Sequence, residues 1–368
     1  RETVYDHLGV APAINAAGTK TTFGGPTMPP EVADAVREAA EMSVHISELQ
    51  ARAAELVEEV TGAEAGHVTS GASAGLTLAA AACIAGDDPG EMNRLPHPEE
   101  PAEIVMPRAM RNGYDHALRA AGATIVGAGD CSRTLGETPV NVTPWELEDA
   151  ISEATVAVSY LPRPGVQLTL DTVVEVAHDH GVPVIVDGAG SLPPRENLTA
   201  FFERGVDLVS FSGGKAIRGP QATGILAGRE DLVRSAKLQH LDMGEVAELW
   251  EPPAELFDVS KVAGVPKHGL GRGFKVSKED LVGFIRALEI FAETDDEERR
   301  REWLARAETM ADGLRGVDGV DVRVDDEPSG TPGGIRIRSD VLPSVVVTVD
   351  EARAGVAAFE LVRRLRFE

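Results

Sequence analysis

Short apolar segments alternate with amphipathic ones from about residue 66 to residue 228. The clearest is the run V-P-V-I-V-D-G-A-G (182–190), which is almost continuously apolar until it reaches Asp187. A run without polar alternation is typical of a parallel strand that is buried on both faces. Because strands that alternate with helices form βαβ units, this part of the chain predicts an α/β fold with a doubly wound, mostly parallel sheet.

The pattern differs on both sides of that segment. Residues 1–50 are predicted to be an N-terminal arm, irregular around a short strand and followed by a helix. Residues 51–240 are predicted to form the large domain, and residues 241–368 a connecting helix with a smaller α+β domain. The predicted elements of this last part are helices at 278–293 and 295–314, strands at 320–324, 334–338 and 344–349, and a helix after Glu351.

Charge restricts the partners that the chain can have. The formal net charge is -25, and only seven of the 35 basic residues are lysine. Such a charge makes nucleic-acid backbones and anionic membranes unattractive partners. It is also what adaptation to high salt would produce, although the preference for arginine could instead reflect GC-rich coding.

Cysteine usage and hydropathy indicate the compartment. The two cysteines, Cys83 and Cys131, lie in no metal-binding or disulfide pattern. We therefore expect neither a zinc site nor a disulfide framework, and a reducing cytoplasm. No segment is predicted to be a signal peptide or a membrane span.

A scarce lysine lies in the stretch D-L-V-S-F-S-G-G-K-A-I-R-G-P-Q-A-T-G (207–224). A short apolar strand ends at Ser212, a glycine pair follows, and Lys215 comes next. Lysine on a glycine-rich loop at a strand end suggests imine chemistry with a carbonyl compound. Taken alone, the stretch is equally compatible with an ordinary surface lysine in a turn.

Two further features would lie at the same edge of the sheet. In G-H-V-T-S-G-A-S-A-G-L (66–76) a strand runs into an Ala-rich helix through small residues, among them Gly71, Ala72 and Ser73. Such a helix N-terminus can bind a phosphate, although it could also be only a tight strand–helix turn. Asp187 ends the buried strand on the side where α/β folds bind ligands, although it could be a capping residue.

Together these features predict pyridoxal phosphate as the cofactor. Its aldehyde needs a lysine amine, its phosphate needs a helix N-terminus and a hydroxyl such as Ser212, and its ring nitrogen needs a carboxylate. The spacing from Asp187 to Lys215 fits one helix and one strand, which places the two residues on adjacent strand ends. Tyr114 or His116, near another strand end, could stack on a planar ring, although either could equally be a packing residue.

Several stretches resemble one branch of the fold-type-I pyridoxal-phosphate enzymes, which contains selenocysteine synthase (L-seryl-tRNA selenium transferase) and D-glucosaminate-6-phosphate ammonia-lyase. They are I-N-A-A-G-T (14–19), G-A-E-A-G-H-V-T-S-G-A-S-A-G-L (62–76), R-N-G-Y-D-H-A-L-R-A-A-G-A (111–123), V-I-V-D-G-A-G (184–190), S-F-S-G-G-K-A-I-R-G-P-Q-A-T-G (210–224) and G-L-G-R-G-F-K-V-S-K-E-D (269–280). The resemblance implies an aspartate-aminotransferase-like large domain and a homodimer or a multiple of one.

The resemblance also implies roles for individual residues. Lys215 would form the imine with the cofactor and Asp187 would pair with its ring nitrogen. Ser212 and residues 71–73 would hold the phosphate, and His116 or Tyr114 would lie over the ring. Residues that could contact the substrate, its anionic group or a partner subunit are Thr19, Arg218, Gln221 and Arg272.

Two departures from the family are expected. The chain starts almost at the catalytic arm, without the tRNA-contacting region of selenocysteine synthase. It also ends soon after Phe359, so that the small domain is expected to lack its last strand and helix, through trimming or abbreviation.

The function predicted is a lyase that removes an α-proton from a small, anionic amino compound and eliminates a β-leaving group. The alternatives are transamination, selenium transfer to seryl-tRNA and a non-catalytic protein that binds the cofactor. Fold resemblance alone does not choose among them.

Overall fold

A computed structural model describes residues 3–129, 142–163, 168–326, 335, 337 and 342–367. Nine strands are present in this part of the chain: Ala65–Thr69 (β1), Glu103–Pro107 (β2), Thr124–Ala128 (β3), Thr155–Tyr160 (β4), Val184–Asp187 (β5), Leu208–Ser212 (β6), Gly224–Gly228 (β7), Val320–Asp325 (β8) and Ser344–Val349 (β9).

The first seven strands form one sheet in the order β1-β7-β6-β5-β4-β2-β3. The pairs from β6 through β5, β4 and β2 to β3 are parallel, whereas β7 is antiparallel to both of its neighbours. The doubly wound, mostly parallel sheet predicted from the sequence is therefore confirmed. All parallel strands point their carboxyl ends to one edge, where ligands bind in such folds.

The described residues also contain α-helices. They are Val4–Leu8 (α1), Pro30–Ala40 (α2), Ile46–Thr61 (α3), Ala72–Ala85 (α4), Pro89–Arg94 (α5), Asp115–Ala120 (α6), Pro144–Asp149 (α7), Leu170–Asp179 (α8), Asn197–Ala200 (α9), Glu230–His240 (α10), Lys278–Glu293 (α11), Asp296–Leu314 (α12), Glu351–Ala354 (α13) and Ala358–Phe367 (α14). Of these, α4 is apolar on every side and packs against β4 to β7, α6 and α10. A helix of this composition is buried, and its N-terminus is thereby fixed at the sheet edge.

The N-terminal arm differs from its prediction. In place of the expected short strand, the described residues contain α1, which begins at a capping box formed by Thr3 and Asp6. The acidic, proline-rich segment after α4 contains a further short helix, α5, which is capped by Asp88. Both helices are short, and each begins at a side-chain cap, which the overall composition of its segment does not reveal.

The C-terminal part contains a second, two-stranded sheet. Strands β8 and β9 are antiparallel, with Val320 opposite Val349, and α12 packs against both. Helix α11 instead packs against α2 and α3. The strand predicted at 334–338 lies largely outside the described residues, and the domain boundaries stay a prediction.

The described helices bear on membrane insertion, and Cys83 bears on redox chemistry. Among the helices of the described segments, none combines the length and the apolar character that crossing a bilayer demands. Cys131 lies outside the described residues, and Cys83 is a free thiol on α4.

Candidate active site

A cavity of ≈ 490 Å³ opens at the carboxyl edge of the sheet. The groups that follow the ends of β1, β2, β4, β5 and β6 meet there. Its lining includes Gly71, Ala72, Ser73, Asn112, Tyr114, Arg163, Asp187, Ala189, Ser212, Gly214 and Lys215. The topology therefore brings together the anion cradle, the acid and the lysine that the sequence placed on separate strands.

The cradle is the N-terminus of α4. Its N-cap residue, Gly71, has a φ of 104° and no side-chain cap, and an added Cβ there would meet nothing within 4 Å. The first amides of a helix lack intrahelical partners, so here they can bind an anion in the cavity. Two buried hydroxyls hold the turn: Thr69 Oγ1 donates to the Gly71 carbonyl at 3.0 Å, and Ser210 Oγ donates to the Ala72 carbonyl at 3.0 Å.

The Lys215 loop is fixed by its own backbone. The Gly213 N–H donates to the Thr223 carbonyl at 2.8 Å, and the Gly219 N–H donates to the Gly213 carbonyl at 2.9 Å. A Cβ on Gly214 would lie only 2.4 Å from the Gln221 Cα, so the glycine is needed for the two strands of the loop to approach. The loop is therefore a closed, tightly packed turn, which is inconsistent with a flexible surface turn.

Asp187 ends β5 inside the cavity. Burial raises the pKa of its carboxyl, whereas the Ala189 N–H, which donates to Oδ1 at 3.1 Å, and the nearby Lys215 ammonium lower it. The carboxyl is thus held in a site where its charged form gains from any cation placed beside it. A protonated ring nitrogen is such a cation.

The N-terminal arm covers one side of the cavity. Asn15 Nδ2 donates to the carbonyls of Gly18 and Gly25, each at 2.9 Å, and shapes the arm into a compact loop. Thr19 and Thr21 from this loop line the cavity. Arg218 Nε donates to the Thr27 carbonyl at 2.9 Å, which ties the arm to the Lys215 loop.

Of the other predicted site residues, two line the cavity and two do not. Tyr114, which is 63% exposed, and Gln221 line the cavity. His116 is not part of the lining, and its Nδ1 lies 3.2 Å from an Arg119 Nη atom at the surface. Arg272 is also absent from the lining and pairs with Asp242 at 2.7 Å. Roles for His116 over the ring and for Arg272 toward a partner subunit stay predictions.

Sequence reasoning missed three polar side chains of the lining, those of Thr21, Asn112 and Arg163. Asn112 lies two positions before Tyr114, and its Oδ1 accepts the Tyr114 N–H at 2.6 Å, so the motif that singled out the tyrosine could have revealed it. Arg163 follows β4, and its Nη1 donates to the Ala109 carbonyl at 2.9 Å. Its position just after a parallel strand was the available signal.

The residues of the cavity fit pyridoxal phosphate. Lys215 offers the amine, Asp187 the buried carboxyl, and the α4 N-terminus with the Ser212 hydroxyl an anion site. Because all of them border one cavity, a single planar, phosphorylated ring can contact them together.

Comparison with known proteins agrees with this chemistry. The family model for class-V aminotransferases matches residues 30–249. The chain is 31% identical over 371 residues to the 5'-C-glycyluridine monooxygenase-decarboxylase of a Streptomyces species, covering 98% of this chain and 81% of that protein. It is 30% identical over 337 residues to the D-glucosaminate-6-phosphate ammonia lyase of Salmonella typhimurium, covering 89% of this chain and 79% of the relative.

A solved structure of D-glucosaminate-6-phosphate ammonia-lyase superposes with a TM-score of 0.77 at 27% identity. The match covers 100% of this chain and 88% of the other. The predicted resemblance to the branch that contains D-glucosaminate-6-phosphate ammonia-lyase and L-seryl-tRNA selenium transferase is confirmed, and with it the expected fold and cofactor.

Proposed function

Because the chain belongs to the class-V aminotransferase family of pyridoxal-phosphate enzymes, we propose that it is a lyase that eliminates a β-leaving group from a small, anionic amino compound. The observation that carries the proposal is the single cavity shared by Lys215, Asp187 and the α4 N-terminus. The similarity to an ammonia-lyase along the whole chain favours elimination over the other reactions of the fold.

Each residue has a separable task in this proposal. The α4 amides and Ser212 would anchor the phosphate end of the cofactor, and Asp187 would hold a proton on its ring nitrogen. When bound, pyridoxal phosphate supplies an electron sink for the pair left by a broken bond at the α-carbon. The Lys215 amine would take the α-proton.

Elimination then follows from the same geometry. The bond between the β-carbon and its leaving group breaks, and the leaving group departs with the electron pair. Later hydrolysis of the unsaturated amine releases ammonia and a 2-oxo acid. The arm loop with Thr19 and Thr21 lies over the cavity, where it can exclude water until the leaving group has departed.

The lysine gives the direct test. We expect Lys215→Ala to abolish turnover and the visible absorbance of the bound cofactor, because the imine requires this amine. The matched control is Lys20→Ala, which removes an arm lysine that does not line the cavity. Visible absorbance that persists in Lys215→Ala would refute the assignment.

The reaction itself is tested by a substrate screen. Amino acids and phosphorylated amino sugars are added to the loaded enzyme, and ammonia and 2-oxo acid are measured. Release of both supports elimination. A pyridoxamine form without ammonia would identify transamination instead.

A second candidate function is oxidative decarboxylation of an amino acid by O₂. It is favoured by the 31% identity, over 98% of this chain, to a protein named as a monooxygenase-decarboxylase. The same screen separates the two functions if O₂ and CO₂ are measured as well, since this reaction consumes O₂ and releases CO₂, whereas elimination does neither.

The assembly and the compartment are further parts of the proposal. A homodimer is supported by the apolar residues that the arm leaves exposed, above all Ile14, which is 99% exposed. Sedimentation velocity would test it, with Ile14→Asp expected to shift the enzyme toward monomer. The cytoplasm is the proposed location, and nucleic acid is not a proposed partner.

A further inference from the structure

A second cavity, of ≈ 550 Å³, adjoins the first, and Thr19 and Lys215 line both. Its opposite wall is a face of α12 that presents Trp303, Arg306, Ala307 and Met310. The spacing of these residues is that of neighbours on one side of a helix. We refer to this space as the outer cavity. It offers room for a substrate whose reacting carbon lies at Lys215.

Two guanidinium groups border the outer cavity, Arg218 from the Lys215 loop and Arg306 from α12. They are close enough that Arg306 lowers the pKa of Arg218, after burial, which is the larger cause. Like charges are brought together at a cost, and a bound anion removes that cost.

Arg218 has its terminal nitrogens available. Its Nε is used by the Thr27 carbonyl, but within the described residues no carboxylate lies at ion-pair distance from either Nη atom. Glu302 and Glu31 are near enough to oppose the effect of Arg306 on its pKa without pairing directly. A guanidinium that is half-buried without a paired carboxylate is prepared to bind an oxyanion.

Arg306 is held only weakly by the protein. Its Nη2 lies 3.7 Å from a Glu302 oxygen, and its side chain is 71% exposed. An ion pair this long and this exposed contributes little, so a ligand can recruit Arg306 at little cost.

The backbone at Arg218 gives an independent indication. Of the non-glycine residues that the structure describes, only Arg218 has a positive φ, at 62°. Glycine or asparagine would adopt this conformation with less strain, and Gly219 follows immediately. Backbone strain of this kind clusters at ligand-binding and catalytic sites.

We propose that Arg218 and Arg306 together form a subsite that binds an oxyanion group, phosphate or carboxylate, of the amino compound on which Lys215 acts. This inference rests on the proposed function and names the anion-binding residues of its substrate site. Trp303 and Met310 border the same space and supply an apolar surface for the carbon skeleton between the anion and the amine.

Inorganic phosphate titrated into the loaded enzyme tests the subsite by calorimetry, at constant ionic strength set with KCl. The cofactor already fills the α4 cradle, so added phosphate reports on the outer cavity. Arg218→Asn removes one guanidinium and introduces a residue that tolerates positive φ. Arg306→Gln removes the other guanidinium, which lies at an exposed helix position. Arg301→Gln is the matched control, an exposed arginine on the same helix that does not line the cavity.

We expect each of the two lining variants to raise the phosphate dissociation constant by about tenfold. Arg301→Gln should leave it within about twofold. A parallel titration with succinate identifies the group: tighter phosphate indicates a phosphorylated substrate, and tighter succinate a carboxylate. If neither anion binds, or if both lining variants bind as the wild type does, the subsite is overturned.

The titration requires no turnover, so it can fail or succeed separately from the proposed function. Anion binding that depends on both arginines would uphold the subsite even if no amine released ammonia, in which case elimination would be wrong. Ammonia release with unchanged binding in both variants would uphold elimination and remove the subsite.

Discussion

At the scale of single residues, the buried carboxyl of Asp187 decides whether the cavity can use its cofactor. Burial raises the pKa of this group, and the Ala189 N–H and Lys215 partly compensate. A cationic ring nitrogen would stabilise the carboxylate further, and the carboxylate would in turn keep that nitrogen protonated.

Asp187→Asn should therefore retain cofactor binding and lose turnover. The amide has the same shape, but it cannot stabilise the charged ring, so we expect kcat to fall on the order of a hundredfold. Steady-state kinetics and a cofactor titration measure the two effects, with Asp179→Asn on the exposed end of α8 as control. Full turnover in Asp187→Asn would show that the carboxylate is not needed.

The sequence motif does not predict the backbone conformation of Arg218. The stretch K-A-I-R-G-P-Q predicted a turn after Lys215, but it did not predict which residue would take the left-handed conformation. The structure places Arg218 there rather than the neighbouring glycine. Such a conformation costs a non-glycine residue about 1–3 kcal/mol, so the sequence alone would favour the glycine at this position. Only the backbone of the structure shows that Arg218 adopts it.

At the scale of elements, the cradle depends on how closely β7 approaches α4. A Cβ on Gly224, the first residue of β7, would lie 2.6 Å from the Gly71 carbonyl carbon and 2.8 Å from the Ala72 nitrogen. These are backbone atoms that cannot rotate away. The strand start and the helix start are therefore packed as one unit.

Gly224→Ala should displace the α4 N-terminus and weaken cofactor binding by about tenfold or more, since the anion loses aligned amides. Gly313→Ala is the matched control, because its added Cβ meets nothing within 4 Å and it lies in a helix, where alanine is favoured. Fluorescence titration with pyridoxal phosphate measures both. Equal affinity in the two variants would contradict the role assigned to this contact.

A second pair of elements, β1 and α10, is joined by two buried histidines. His67 Nε2 lies 2.7 Å from His240 Nδ1, and His240 Nε2 lies 3.0 Å from the Phe274 carbonyl. The carbonyl can only accept, so in the neutral pair His240 donates from Nε2 and His67 donates to His240 Nδ1. Burial, the larger cause for each ring, lowers the pKa of both histidines from 6.5.

The pair makes stability depend on pH. Below about pH 6.5 the unfolded chain takes up protons that the folded pair refuses, so the free energy of unfolding falls as the pH drops. A histidine that stays neutral in the folded state contributes at most about 1.4 kcal/mol per pH unit. We expect His67→Gln, which keeps an N–H donor but cannot titrate, to unfold with a shallower pH dependence between pH 6.5 and 5 in urea. The exposed His97→Gln should keep the wild-type slope, and an unchanged slope in His67→Gln would exclude the buried pair as its cause.

The elements that the sequence predicted well are those with a strong period. Helix α11 was predicted with its observed bounds, and β5 was recognised from its apolar run. The antiparallel β7 was not recognised as distinct, because a short strand of glycine, alanine and aliphatic residues carries no mark of direction.

The spatial order of strands, which brings Asp187 beside Lys215, follows from pairing between distant segments. That adjacency could be inferred from motif spacing, but the outer cavity could not, since Arg306 lies 91 residues after Lys215 in sequence.

At the scale of the whole molecule, charge is the dominant feature. The formal net charge is -25, because 60 acidic residues stand against 35 basic ones. The excess negative charges repel one another. Ion pairs relieve only part of this repulsion, and many of those in the described residues are exposed, such as Arg37 with Glu41. Exposed pairs contribute little, which leaves a net repulsion that favours the expanded, unfolded chain.

Added KCl should therefore stabilise the protein. Raising KCl from 0.1 M to 1 M shortens the Debye length from about 10 Å to about 3 Å, so repulsion between separated carboxylates is largely screened. We expect the midpoint of urea unfolding to rise across this range, and an osmotically matched sucrose series separates screening from exclusion of the solute. Short ion pairs, such as Arg204 with Asp171 at 2.8 Å, are weakened by the same salt, but the excess of acidic residues outweighs them. A midpoint that stayed constant or fell with KCl would refute salt adaptation and leave coding bias as the reason that arginine replaces lysine.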